Sequence, residues 1–492
     1  MNYDRFLNPR VVAVPPSGIR RFFDLAATMK DAISLGVGEP DFITPYHIRN
    51  AAINSIVDGE TQYTPNRGLL TLRQEISRYL EGRYHTPYDP DTEIIVTVGA
   101  SESIDVALRA MLAPGDEVLV PEPSYVSYSP SVIFAGGTPV GVETREDTDF
   151  RLSAEKVRAA ITPRTKALIL PYPNNPTGAI MTRADLEALA EVVREHEIMV
   201  VSDEIYSELT YGGEHVSFPS LPGMWDYTLT INGFSKSFAM TGWRVGYICG
   251  PAEMIAVMNK IHQYGILCAP RQGQVAAVEA LRVGRENGYE DVRHMRESYD
   301  RRRRLMVDGL RKMGLHCFEP RGAFYVFPSI KSTGLTSEEF CERLLQEQHV
   351  ACVPGTAFGP CGEGHIRCSY ATAVDKLNIA LEKMEVFLRG LHHAVAQQPG
   401  IGGQIGQGQR HGRKHQRGRP LKAAGRQPVQ MDGEQPDQQQ PRPEGRYGGT
   451  QEKLGPQQTV HHPALMADTD QGHGQAARQH DDRGRPRQHQ GG

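Results

Sequence analysis

The chain has 492 residues, with 54 Lys and Arg against 58 Asp and Glu. Its last 102 residues, Leu391 to Gly492, hold 20 Gln, 18 Gly and 9 Pro with Tyr447 as their only aromatic, so they cannot bury enough apolar surface to offset chain entropy and are expected to form a disordered tail. That tail has 14 Lys and Arg against 9 Asp and Glu, which leaves −9 on the first 390 residues and argues against nucleic acid as the main partner.

About 390 residues remain, enough for one large domain and one smaller one. The start, MNYDRFLNPR, carries Asp4 and no apolar core, so no signal peptide is expected. Seven cysteines form no CxxC pair, which suits free thiols in a reducing, cytoplasmic compartment. No run approaches 18 apolar residues, so no membrane span is expected.

In chain order, Ile94–Gly99 is a β-branched run ending in Gly, and a helical spacing follows it. Asp116–Pro123, Lys166–Pro173 and Ile198–Glu204 read as strands, with a helix over Arg183–Glu197. Thr228–Ser235 and Gly246–Gly250 read as the last two strands of this region. Strands apolar throughout and separated by helices predict an α/β fold, a mostly parallel central sheet with helices on both faces. Ligands of such sheets bind beyond the carboxyl ends of the strands.

The pattern changes near residue 285. A long charged helix over Tyr289–Lys312, strands at Gly322–Pro328, Val350–Val353 and His365–Ser369, and helices over Ser337–Gln348 and from Asp375 predict a smaller α+β domain. The expected division is 1–45 joining the small domain, 46–284 as the large domain, 285–390 as the small domain and 391–492 as the tail. The run Arg301–Arg304 reads as a solvated helix face. His365 between Cys361 and Cys368 lacks a second ligand cluster, so no metal site is expected.

Four segments carry chemistry: P-N-N-P-T-G (173–178), S-D-E-I-Y (202–206), S-K-S-F-A-M-T-G-W-R-V-G-Y (235–247) and H-I-R-C-S-Y (365–370). Taken singly they have plain readings: a turn, a helix cap, a surface lysine and a solvated arginine. V-G-A-S-E-S (98–103) adds a turn at a helix N-terminus, which suits an anion. In this order and spacing the segments resemble the class I aminotransferases of the fold-type-I pyridoxal-phosphate enzymes. The resemblance runs from about Ser34 to Arg389.

The resemblance implies pyridoxal 5'-phosphate as cofactor and Lys236 as the residue that forms a Schiff base with it and relays the substrate proton. Such chemistry needs an unprotonated amine, although a free lysine has a pKa of about 10.4; burial and neighbouring positive charge lower it. Asp203 is implied as the carboxylate that keeps the ring nitrogen protonated. Tyr206 and Asn175 are implied as donors to the ring oxygen. Ala100, Ser101, Ser235 and Arg244 are implied as phosphate ligands, and Tyr125 as the aromatic stacked on the ring. Tyr63 resembles the tyrosine that reaches the other subunit's cofactor, which implies a homodimer with shared active sites. Gly38 resembles the segment that closes over substrate. Arg367 is implied as the grip on the α-carboxylate, where a guanidinium makes two parallel bonds.

The expected function is transfer of an amino group between an L-amino acid and a 2-oxo acid by ping-pong Schiff-base chemistry. The expected range is aspartate or aromatic, with 2-oxoglutarate a partner. A β-lyase of the same fold is the alternative. A non-catalytic regulator is remote, because only about 30 residues precede the first motif and every cofactor position is filled. Ser101 stands where some relatives carry a lysine for a distal carboxylate, so Arg271, in C-A-P-R-Q-G-Q, becomes a candidate replacement; an interface ion pair is its other reading. The tail is read as an extension without catalytic function.

Overall fold

The computed structural model describes residues 1, 3–19, 29 and 31–396; the expected tail from 397 onward lies outside them. The strands are β1 (Ile33–Ser34), β2 (Ile94–Thr97), β3 (Glu117–Glu122), β4 (Thr138–Glu143), β5 (Thr165–Leu170), β6 (Met199–Asp203), β7 (Thr228–Gly233), β8 (Gly246–Cys249), β9 (Tyr325–Val326), β10 (Val350–Ala351), β11 (Val353–Pro354) and β12 (Ile366–Ser369).

Seven of them form one sheet in the order β2-β8-β7-β6-β5-β3-β4. β3 pairs in parallel with β4 and β5, and β6 pairs in parallel with β5 and β7. β8 alone runs against its neighbours β2 and β7. The strands are buried because both faces are covered. Ala167 and Ile169 of β5 join the cluster that holds Ile104, Leu108 and Met258, while Leu168 and Leu170 join Leu186, Leu189 and Val193. This is the alternation of a strand with apolar layers on each side. β4 escapes the sequence reading because it is an edge strand, mostly exposed and carrying Pro139 and Gly141.

A second sheet has the order β11-β12-β9, with β12 antiparallel to both neighbours. The helices Glu290–Lys312, Ser337–Gln348 and Val374–Ala396 bury Tyr299, Met306, Phe340, Leu344, Met384 and Leu388 against it. β1 pairs in parallel with β10 and so attaches Ile33 and Ser34 here, whereas Arg10 donates to the carbonyls of Gly136 and Gly137 just before β4. The expected boundary at 284/285 lies inside the helix Arg271–Asn287. The last helix runs past Arg389 to Ala396, since Leu381, Met384, Leu388 and Leu391 continue one buried stripe at helical spacing.

The run Arg301–Arg304 is not the solvated face expected of it. Arg301 and Arg304 are exposed, but Arg302 and Arg303 are buried. Arg302 donates to Asp41 at 2.7 Å, and its guanidinium lies over the rings of Phe42 and Tyr299. Arg303 pairs with Asp300 and Glu319, each at 2.8 Å. Burial of these charges is tolerable because each has a carboxylate partner.

Candidate active site

The carboxyl ends of five parallel strands of the seven-stranded sheet open into one cleft of about 1360 Å³. β6 ends in Asp203; Ser235 and Lys236 follow β7, Tyr125 follows β3 and Asn175 follows β5. β2 leads through Val98 into the helix Gly99–Met111, whose first turn brings Ala100 and Ser101 to the cleft wall. Across from the sheet, β12 supplies Arg367 and β9 supplies Tyr325.

Lys236 donates from Nζ to the carbonyl of Gly38 at 2.7 Å. Desolvation in the cleft lowers its pKa to about 8; Arg367 and Arg244 push the same way, and Glu39 and Asp203 oppose them. Asp203 is buried. It accepts from the Tyr128 hydroxyl at 2.8 Å and from the Ile205 N–H at 3.2 Å. Burial raises it to about 6 against the pull of those two bonds.

Tyr206 is buried with its hydroxyl 2.9 Å from that of Tyr325. Asn175 accepts from Arg367 Nη1 through Oδ1 at 2.9 Å; this leaves its amide N–H groups for another acceptor. Arg367 is 2% exposed. Its Nη2 donates to the Gly36 carbonyl and its Nε is buried without a partner. Among the described residues no carboxylate pairs with it. Its guanidinium carbon lies 4.5 Å over the Tyr325 ring and 4.8 Å over the Phe358 ring.

Gly99 takes φ +73°, and a Cβ there would lie 2.5 Å from Arg244 Nη2. The glycine is needed both for the left-handed turn and for the close approach of the guanidinium. The result is an anion cradle made of a helix N-terminus, the hydroxyls of Ser101 and Ser235, and Arg244.

Two expected residues stand apart from the cleft. Tyr63 is 80% exposed. Arg271 pairs with Glu60 at 2.7 Å. No cluster of three or more His, Cys, Asp or Glu able to hold a metal occurs among the described residues.

The family model for aminotransferase class I and II matches residues 30–384. The chain belongs to the class I and II aminotransferases. An aspartate aminotransferase of Pyrococcus abyssi is 48% identical over 384 residues, covering 78% of this chain and 98% of its own. An aromatic-amino-acid aminotransferase 2 of Thermococcus litoralis is 46% identical with the same coverage. The structure of Thermus thermophilus aspartate aminotransferase with maleate superposes with a TM-score of 0.74 at 42% identity, covering 77% of this chain and 99% of that one.

This aminotransferase is a pyridoxal-phosphate-dependent transaminase, and its cleft fits that cofactor. The anion cradle suits a phosphate, Asp203 suits a protonated ring nitrogen, and Lys236 suits an aldehyde. The sequence reading missed Tyr128 and Tyr325. Tyr128 lies three residues after Tyr125, so helical spacing could have flagged it; Tyr325 looks like any residue of a buried strand.

Proposed function

We propose that this aminotransferase exchanges an amino group between an L-amino acid and a 2-oxo acid of the aspartate or aromatic type, with 2-oxoglutarate among its acceptors. The observation that carries this reading is Arg367, a buried cation without a carboxylate partner, in the same cleft as Lys236 and Asp203. A lone guanidinium in low dielectric is costly until an anion meets it. A substrate α-carboxylate supplies that anion through two parallel bonds.

Bound pyridoxal phosphate supplies an electron sink for the bond pair of the substrate's α-carbon. This chain's residues do the rest. Arg367 fixes the carboxylate and so aims the Cα–H bond. Lys236 would take that proton as a free amine and return it one step later. Asp203 holds the ring nitrogen in its protonated form. Asn175 and Tyr206 would donate to the ring oxygen, and Tyr125 would cover the ring. Ala100, Ser101, Ser235 and Arg244 hold the phosphate.

The same reading makes the active unit a homodimer. Tyr63, Ile56, Val57, Tyr264 and Ile266 are all exposed, and the bonds Asn66–Leu267 and Gln272–Glu60 tie their two stretches of chain together. An apolar patch of this kind suits a subunit contact, through which the partner subunit's Tyr63 would reach the phosphate. Relatives named for aspartate and for aromatic amino acids support the substrate range. A panel of amino acids against 2-oxoglutarate, oxaloacetate and pyruvate tests it. Exchange without ammonia release is the expected result; release of ammonia and pyruvate without exchange would replace this reading with a β-lyase.

A further inference from the structure

Tyr325 lies in none of the four motifs, yet three parts of the site meet on it. It is buried on β9. Its hydroxyl oxygen lies 2.9 Å from that of Tyr206. Its ring carries the Arg367 guanidinium at 4.5 Å. Its hydroxyl also abuts Gly38, where a Cβ would overlap the oxygen, and the Gly38 carbonyl is the acceptor for Lys236.

We infer that Tyr325 is a positioning residue whose hydroxyl donates to Tyr206 while its ring seats Arg367, so that one side chain sets both the ring-oxygen contact and the carboxylate contact. This rests on the roles proposed above for Tyr206 and Arg367.

A phenol has one proton. When Tyr206 donates to the cofactor's ring oxygen, its 2.9 Å contact can be filled only by the Tyr325 proton. Accepting that bond polarises Tyr206 and makes it a stronger donor. A stronger donor stabilises negative charge on the ring oxygen. It thereby lowers the pH at which the lysine-linked nitrogen loses its proton. The Tyr325 ring acts on the other partner, because an aromatic face attracts a desolvated guanidinium. Glycine at 38 leaves room for the hydroxyl between these groups.

The test is a spectrophotometric pH titration of the holoenzyme, with maleate binding measured alongside. Tyr206→Phe should raise the absorbance midpoint most. Tyr325→Phe should raise it in the same direction by about half a unit, the size of part of one neutral hydrogen bond. Because the ring remains, maleate affinity in Tyr325→Phe should stay close to that of the unmodified enzyme. Tyr325→Leu should weaken maleate binding by about tenfold or more, since the ring is gone. A midpoint unchanged in Tyr325→Phe but shifted in Tyr206→Phe overturns the inference and leaves the role of Tyr206 standing. A midpoint unchanged in both overturns the role of Tyr206 and the inference with it. Unchanged maleate affinity in Tyr325→Leu overturns the part concerning Arg367. Should the leucine variant fail to fold, Tyr325→Met takes its place in the maleate measurement, and the phenylalanine variant decides the hydroxyl contact by its midpoint.

Discussion

Two adjacent carboxylates at the end of β6 are treated in opposite ways. Glu204 faces a rear pocket and is 1% exposed. It accepts from Ser202 at 2.9 Å, Ser217 at 3.0 Å and the Phe218 N–H at 3.2 Å, and it pairs with His215 at 3.0 Å. Asp203 faces the cleft with only Tyr128 and the nearby Ile205 N–H, and burial raises it to about 6. Strand alternation sends the two to different environments. The rear side saturates its charge and so stabilises the fold. The cleft side leaves its charge under-matched, and in the proposed function a protonated ring nitrogen would complete it.

Breaking the cleft side at its centre should have the largest effect. Lys236→Ala should cut turnover by a factor on the order of 10⁴ or more, because the group proposed to move the proton is gone. Its melting temperature without cofactor should not fall. A borohydride-reducible cofactor adduct in that variant would show that another amine does the work.

The two carboxylates test the comparison directly. The folded pKa of Asp203 lies above its ordinary value of 3.8. Its contribution to stability is therefore full below that value and is lost as pH rises through about 6. Asp203→Asn should lose about 10²–10³ in kcat. It should also stabilise the cofactor-free protein at pH 8 by about 1–3 kcal/mol. Glu204→Gln should do the reverse, costing about 1.5–3 kcal/mol of stability with much of kcat retained. Thermal melts and kinetics of the two variants measure both sides, and a destabilised Asp203→Asn protein would end the comparison.

A milder effect concerns pH. The amine of Lys236 is free above about 8, not above 10.5. Uptake of pyridoxal phosphate by the cofactor-free protein, followed by absorbance, should accelerate through pH 8 and level off above it. A rise centred near pH 10 would show that desolvation does not govern this lysine.

Arg271 gives the smallest expected effect. Its pairing with Glu60 places it with the saturated groups. Arg271→Ala should cost no more than about 1 kcal/mol and change KM alike for aspartate and phenylalanine. A selective rise for dicarboxylates would make it the distal-carboxylate contact and break the rule that saturated groups are structural.

The same rule explains what could be read from the sequence. Lys236, Asp203, Asn175 and Arg367 sit in short segments whose order carries their meaning, and the buried strands show in unbroken apolar runs. Arg302 and Arg303 were misread because their environment is not local. Arg302 finds Asp41 across 261 residues of sequence, and no spacing rule reports that. Tyr325 stayed hidden for a related reason. G-A-F-Y-V-F shows a buried strand, but not which of its faces meets a cleft built from other elements.

The short strand β1 has a consequence for how the site keeps time. Leu35, just after it, bonds to Ala351 and Ser369. Gly36 offers its carbonyl to Arg367, and Gly38 offers its own to Lys236. Thr44 then binds the carbonyl of Ala239, beyond the lysine. One short stretch of backbone thus serves as a ruler between the Arg367 guanidinium and the Lys236 amine. A carboxylate arriving at Arg367 competes with the Gly36 carbonyl for the same guanidinium. The lysine's own tether begins two peptide units further along.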